Sequence, residues 1–269
     1  MNPRTLKLTI SYEGTRLVGW QRQAGGESVQ GLLERALAPL AGSPVTVHGA
    51  GRTDAGVHAL GQVASVHVTC AHSLEVLHRA LNASLPLDVR VLDVREVDSR
   101  FHARFSARAK TYRYLVYNGS LVSPFAHRYV WQIVEPLDLD AMQDAAQMLV
   151  GTHEFSAFRS AGGAPTTSVR TIMRSGVSTH AGFGLVLPTE VRCGVAVDEY
   201  DGSRLLAYEV TGSGFLRYMV RAIAGTLVDI GRGRHPSAWM ASLLDGGRRS
   251  DAGATAPAQG LFLVRVDYD

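Results

Sequence analysis

Cysteine is nearly absent from this 269-residue chain, which holds only Cys70 and Cys193. The two are far apart and form no Cys-x-x-Cys pair, so neither a disulfide framework nor a structural zinc site is indicated. Isolated thiols of this kind suit a reducing compartment. Long apolar runs are missing as well. Met1 to Ile10 carries Arg4 and Lys7, and no stretch approaches the ~20 apolar residues of a membrane-spanning helix. No signal peptide or membrane span is expected, and the expected location is the cytoplasm. Lysine is scarce: of 27 basic residues only Lys7 and Lys110 are lysines, and the remaining 25 are arginines.

What is present fits a folded globular protein. Hydrophobic residues make up 46% and charged residues 19%, and the length suits one large domain or two modest ones. The formal charge of +3 and pI near 9.0 are mildly basic. Guanidinium groups bind phosphate bidentately and stack on bases, which suits an RNA partner. A genome biased toward arginine codons explains the same count, so composition leaves both readings open.

Periodicity outlines the elements. Leu6 to Ser11 alternates like a half-buried strand. Ser28 is placed to cap a helix through Val29, Leu33, Leu37 and Leu40, and Ser73 a second one that stops near Pro86. Val63 to Thr69 and Val89 to Val97 read as strands. In the second half, Thr111 to Tyr117 and Leu205 to Thr211 read as strands. A helix begins near Asp140 and ends near Gly151. Phe215 to Ile230 reads as a long helix, and Leu261 to Tyr268 as a closing strand. Arg159 to Ser168 and Gly246 to Gln259 read as loops, and Gly176 to Ser203 as a hairpin with a long insertion. This is an α+β pattern in two similar halves, 1–105 and 106–269.

Three segments carry chemistry. Gly49-Ala50-Gly51-Arg52-Thr53-Asp54-Ala55-Gly56-Val57-His58-Ala59 packs a cation, a hydroxyl and a carboxylate between glycines. It lacks the Gly-Lys-Ser/Thr of a phosphate loop and the setting of a dinucleotide fingerprint. Two readings stand: a surface turn, or a rigidly held carboxylate that a nearby cation keeps ionised. The Phe215 to Ile230 segment is apolar on several faces and carries Arg217 and Arg221 one turn apart. A buried Arg221 needs an anion, whereas a snorkelling one does not. Lys110 to Tyr117 interleaves rings with bases, so Tyr112 and its neighbours either fill a core or stack unpaired bases.

Together these segments resemble the TruA-type tRNA pseudouridine synthases. The resemblance also covers Tyr12-Glu13-Gly14-Thr15, Gly19-Trp20-Gln21-Arg22-Gln23, Gly61-Gln62-Val63 and Asn82 to Pro86. Further matches are Phe101 to Ala107, Gly151 to Phe155, Gly214-Phe215-Leu216, Met219-Val220-Arg221 and Gly260-Leu261. It implies two related, ferredoxin/RRM-like α+β halves sharing a central, mostly antiparallel sheet with a catalytic cleft between them. It also implies isomerisation of uridine to pseudouridine at positions 38–40 of the tRNA anticodon arm. Asp54 is then the catalytic carboxylate, Arg221 its ion-pair partner, Tyr112 a contact to the target uracil, and Arg52 the side chain that enters the RNA. The resemblance further implies a homodimer that binds tRNA, with no metal and no cofactor. Leu187 to Asp201 looks like extra length relative to the family and is read as an inert surface hairpin. A non-catalytic RNA-binding or RNA-folding protein is the rival reading, although pure binding has no need of a clamped carboxylate. A zinc deaminase would need His-x-Glu with Pro-Cys-x-x-Cys, and neither is present.

Overall fold

A computed structural model describes residues 3–160, 167–180 and 204–269. Cys193 and the extra length at Leu187 to Asp201 lie outside the described residues. In chain order the elements are β1 (Arg4–Tyr12), α1 (Val29–Ala41), β2 (His48–Gly49), β3 (His58–Val68), α2 (Leu74–Ser84), β4 (Val89–Val97), β5 (Ala109–Asn118), β6 (Trp131–Ile133), α3 (Leu139–Gln147) and β7 (Gly151–Glu154). There follow β8 (Val169–Thr179), β9 (Arg204–Gly212), α4 (Met219–Gly231), α5 (Trp239–Leu244) and β10 (Leu261–Asp267). The chain is mixed α+β and its strand pairing is mostly antiparallel, as expected from the sequence. It divides into two compact units, Met1–Thr111 with Phe262–Asp269, and Tyr112–Leu261.

In the first unit the strand order is β4-β1-β3-β10, with the short β2 on β3. Leu6, Leu8 and Ile10 of β1 alternate into the core, and Leu8 stands opposite Ala64 of β3 and Val94 of β4. Register is strongly fixed in such a strand, because a slip of one residue would turn all three side chains to the opposite face. β10 joins β3 in parallel, with Phe262 opposite His58. Two helices cover this sheet. Ser28 caps α1 through the Gly31 N–H, and Gly42 ends it at φ +69°. Ser73 caps α2 through the Val76 N–H. Each serine oxygen satisfies one of the N–H groups a helix start leaves over.

The second unit orders its strands β5-β9-β8-β7, with β6 parallel on β5. β8 and β9 form an antiparallel pair in which Thr179 faces Leu206. The helix α4 is buried along most of its length, through Met219, Ile223, Leu227 and Ile230. It begins at Met219, four residues after the expected Phe215, because Tyr218 takes a left-handed φ of +62° and so breaks helical geometry. Asp138, rather than Asp140, caps α3 through the Ala141 N–H. Gly151, expected to end that helix, instead opens β7 at φ +122°.

Candidate active site

The 49–57 segment joins β2 to β3 and is held from several sides. Its first residues are sheet: Gly49 pairs with Ala64, and the Ala50 N–H donates to Val63 O at 2.7 Å. A side chain at Gly49 would collide with the Trp20 ring. The Gln62 side chain, fully buried, donates to Gly51 O at 3.0 Å. Thr53 is buried. Its Oγ1 lies 2.7 Å from the Tyr12 hydroxyl, and its carbonyl accepts the Trp20 N–H at 3.1 Å. The turn closes where the Val57 N–H donates to Asp54 O, one residue after Gly56 at φ +78°.

A second layer of contacts comes from residues 14–19. The Gly56 N–H donates to Leu17 O at 3.3 Å. Gly14 donates its N–H to His58 Nδ1 at 3.0 Å, and a Cβ there would run into the Val57 carbonyl. Gly19, at φ +102°, leaves room for nothing but hydrogen: an added Cβ would sit 2.5 Å from Thr53 O and 3.0 Å from the Asp54 carbonyl carbon. Only glycine takes that conformation at such an approach without strain. His58 is buried and stacks on Phe262 of β10 at 4.8 Å.

This bracing separates the side chains of the segment. Thr53, Val57 and His58 point inward, Asp54 is half-buried, and Arg52 is exposed. A carboxylate on such a seat loses little conformational freedom when it meets a substrate, which is how a site holds reactive geometry. The Tyr12 phenol below it is pushed up to about 12 by burial, against the hydrogen bonds from Thr53 and Gln62, and stays protonated at neutral pH.

Tyr112 and Arg221 lie in the second unit, and one short turn touches both. Tyr112 of β5 is buried, with its ring edge-on to Phe215 at 5.0 Å. Three residues on, the left-handed Tyr218 presents its ring to Arg221, whose Cζ lies 5.1 Å from the ring centre. Arg221 Nε donates to Ala256 O at 2.7 Å, and the Ala256 N–H donates back to Arg221 O. The guanidinium at the start of α4 is therefore oriented by a backbone carbonyl and flanked by an aromatic face. The other rings of β5 serve the core. Tyr114 is fully buried and donates to Pro257 O at 2.8 Å, while Arg113 is paired with Glu209 at 2.7 Å.

Sequence reasoning gave no role to Tyr12, Gly19, Gln62, His58 or Tyr218. Tyr12, Gly19, His58 and Gln62 stood within the matched segments, and their signal was a polar or glycine position in those segments. Among the described residues, no group of three His, Cys, Asp or Glu side chains is arranged to hold a metal ion. No helix among them is long and apolar enough to cross a membrane.

Comparison with known proteins places these residues in context. A family model described as tRNA pseudouridine synthase matches residues 8–106 and 145–269. A tRNA pseudouridine synthase A from Syntrophotalea carbinolica is 42% identical and aligns over 98% of this chain and 96% of its own. The protein of the same name from Acetivibrio thermocellus is 40% identical over 98% of this chain and all of its own, and that from Myxococcus xanthus 43% over 98% and 91%.

Proposed function

The chain belongs to the tRNA pseudouridine synthase family, and from that premise we propose that it converts the uridines at positions 38–40 of the anticodon arm, with Asp54 as the catalytic carboxylate. The observation that carries this reading is the seat of Asp54: half-buried, on a turn locked by Thr53, Gly56 and Gly19, beside an exposed arginine.

The chemistry is an isomerisation. The N1–C1′ glycosidic bond breaks, the uracil turns, C5 bonds to C1′, the proton on C5 leaves to solvent, and N1 takes up a proton in its place. Nothing is oxidised or hydrolysed, so the step calls for no cofactor. An ionised carboxylate serves it by attacking the sugar or the ring, or by assisting loss of a sugar proton, and all these routes require the charged form. Arg221 fills the role of the cation that keeps Asp54 ionised, as an adjacent guanidinium lowers a carboxylate pKa. Tyr112 contacts the target ring. The uridine is stacked in the anticodon arm and must first be extruded, at a cost of a few kcal/mol. Arg52, exposed and two residues before Asp54, is suited to fill the vacated space. The working form is a cytoplasmic homodimer with tRNA bound across both copies.

Tritium release from tRNA labelled at uridine C5 tests the reading. The wild-type protein should release tritium, and Asp54→Asn should bind tRNA yet release none. Release by Asp54→Asn at more than about a hundredth of the wild-type rate would remove Asp54 from its role. No release by the wild-type protein would favour a non-catalytic RNA binder.

A further inference from the structure

The turn at residues 101–106 is built as rigidly as the catalytic loop, yet it projects an apolar ring into solvent. Ala103 is fully buried. Its N–H donates to Ser65 Oγ at 3.0 Å, and its carbonyl accepts the Tyr268 hydroxyl at 2.7 Å. His102 and Ser106 close the turn: the Ser106 N–H donates to His102 O at 2.9 Å, and the His102 N–H donates to Ser106 Oγ at 3.1 Å. Ala103 shares an apolar cluster with Ala50 and Val63, so the turn is seated against the base of the 49–57 segment.

On that seat Phe105 is 76% exposed. The His102 ring lies 4.4 Å from it, the Arg104 guanidinium 5.6 Å from its centre, and His48 lies 5.1 Å beyond His102. A cationic neighbour completes the patch. Lys110 is half-buried, and its Nζ stands 3.8 Å from where a Cβ on Gly51 would be. Burial and the charge of Arg104 both hold Lys110 below the ordinary lysine range. Burial, and then His48, hold His102 below the ordinary histidine range. Among the described residues neither Arg104 nor Lys110 has a carboxylate partner. An exposed aromatic face beside two cations that no described carboxylate neutralises is the pattern that holds single-stranded nucleic acid, with bases on rings and phosphates on ammonium and guanidinium groups. A second copy of the chain, itself of net charge +3, is a poorer match for that charge.

We propose that Phe105, Arg104 and Lys110 form a tRNA-binding site next to the target nucleotide, where an unpaired base stacks on Phe105 and a phosphate is held by Arg104 and Lys110. The proposal rests on the tRNA reading above and assigns that RNA a specific contact on the first unit.

Three variants test it: Phe105→Ala, Arg104→Gln and Lys110→Gln, each with unmodified tRNA, measuring affinity against salt together with single-turnover tritium release. Phe105→Ala should weaken tRNA binding about tenfold, within the range for loss of one stacked base, and leave the salt slope unchanged. Arg104→Gln and Lys110→Gln should each lower the slope of log affinity against log salt by about one. Thermal unfolding should be unchanged for Phe105→Ala, whose ring is not part of the core. Affinity within twofold of wild type for Phe105→Ala, or unchanged slopes for both charge variants, would overturn the site. So would loss of self-association in Phe105→Ala by sedimentation with tRNA affinity retained, which would assign the ring to a protein interface. A wild-type protein that neither binds tRNA nor releases tritium would instead remove the functional reading itself.

Discussion

The Tyr12 hydroxyl lies 2.7 Å from Thr53 Oγ1, so the last residue of β1 directly fixes the residue that precedes Asp54. The 49–57 loop is thus tied to the sheet by a side chain and does not rest on its own turn alone. Gln62, reaching both the Tyr12 hydroxyl at 3.4 Å and Gly51 O at 3.0 Å, makes the tie a network of three side chains and a backbone carbonyl.

Tyr12→Phe removes that tie and leaves Thr53 without it in a buried place. Stability should fall by about 1 kcal/mol, the net worth of one such hydrogen bond. The turnover number should fall more than KM rises, because the carboxylate is misplaced while the RNA surface is intact. Urea unfolding and steady-state tritium release measure the two effects. A turnover number equal to that of the wild type would show that the tie does not position Asp54.

The same variant reports on alkaline stability. Burial pushes the Tyr12 phenol up to about 12, whereas an unfolded phenol titrates near 10. Between about pH 10 and 12 the native state therefore holds a proton the unfolded state has lost, and stability declines as pH rises through that window. Below pH 10 both states are protonated and the contribution is intact. The difference amounts to roughly 3 kcal/mol. Tyr12→Phe should lose less stability than the wild type between pH 9 and 12, by about that amount. Tyr114, Tyr208 and Tyr268, also pushed up by burial, retain their own share. An equal decline in variant and wild type would place the titration elsewhere.

Gly19→Ala should be costly for two separable reasons. Alanine at φ +102° is strained, and its Cβ would meet the Thr53 and Asp54 backbone. Together these should cost about 2–4 kcal/mol, with activity falling as the loop is displaced. Gly25, at φ +93° with nothing within 4 Å of an added Cβ, is the control that carries the dihedral strain alone. Calorimetry should show Gly19→Ala melting well below Gly25→Ala. Equal melting temperatures would mean the close approach relaxes freely.

Arg221→Ala should lose activity, and its acid limb should move to higher pH, since a carboxylate without its cation keeps its proton longer. Arg221→Lys keeps the charge but loses the planar guanidinium and the Nε–H it donates to Ala256 O, and it should recover part of the rate. An acid limb that stays in place in Arg221→Ala would count against the role given to this arginine. The pH dependence of single-turnover tritium release is the measurement.

Much of this fold could be read from local signals, and the parts that could not depend on distant partners. Ser28 and Ser73 announced α1 and α2 because capping is a matter of three adjacent residues. β3 starts at His58, five residues before the expected Val63, because Gly61 and Gln62 spoil its alternation. Its first residues are strand through pairing with Tyr12 and with Phe262, some two hundred positions away. The start of α4 was misplaced because Tyr218 breaks the helix through a backbone angle that no residue type announces. At the site, residue identities carried the family likeness and with it Asp54. They did not disclose that Gly14, Gly19 and Gln62 support its loop, since a close approach of two backbones leaves only a glycine as its trace.

The seat of Asp54 also constrains how such an enzyme can diversify. Where Gly14 and Gly19 meet residues 53–57, main chain touches main chain, so substitution has almost no side-chain atoms through which to adjust the spacing. On the proposed reading of the site, new substrate preferences must therefore arise at the rim, in exposed side chains such as Arg52 and Phe105, over a reaction floor that drift can destroy but hardly retune.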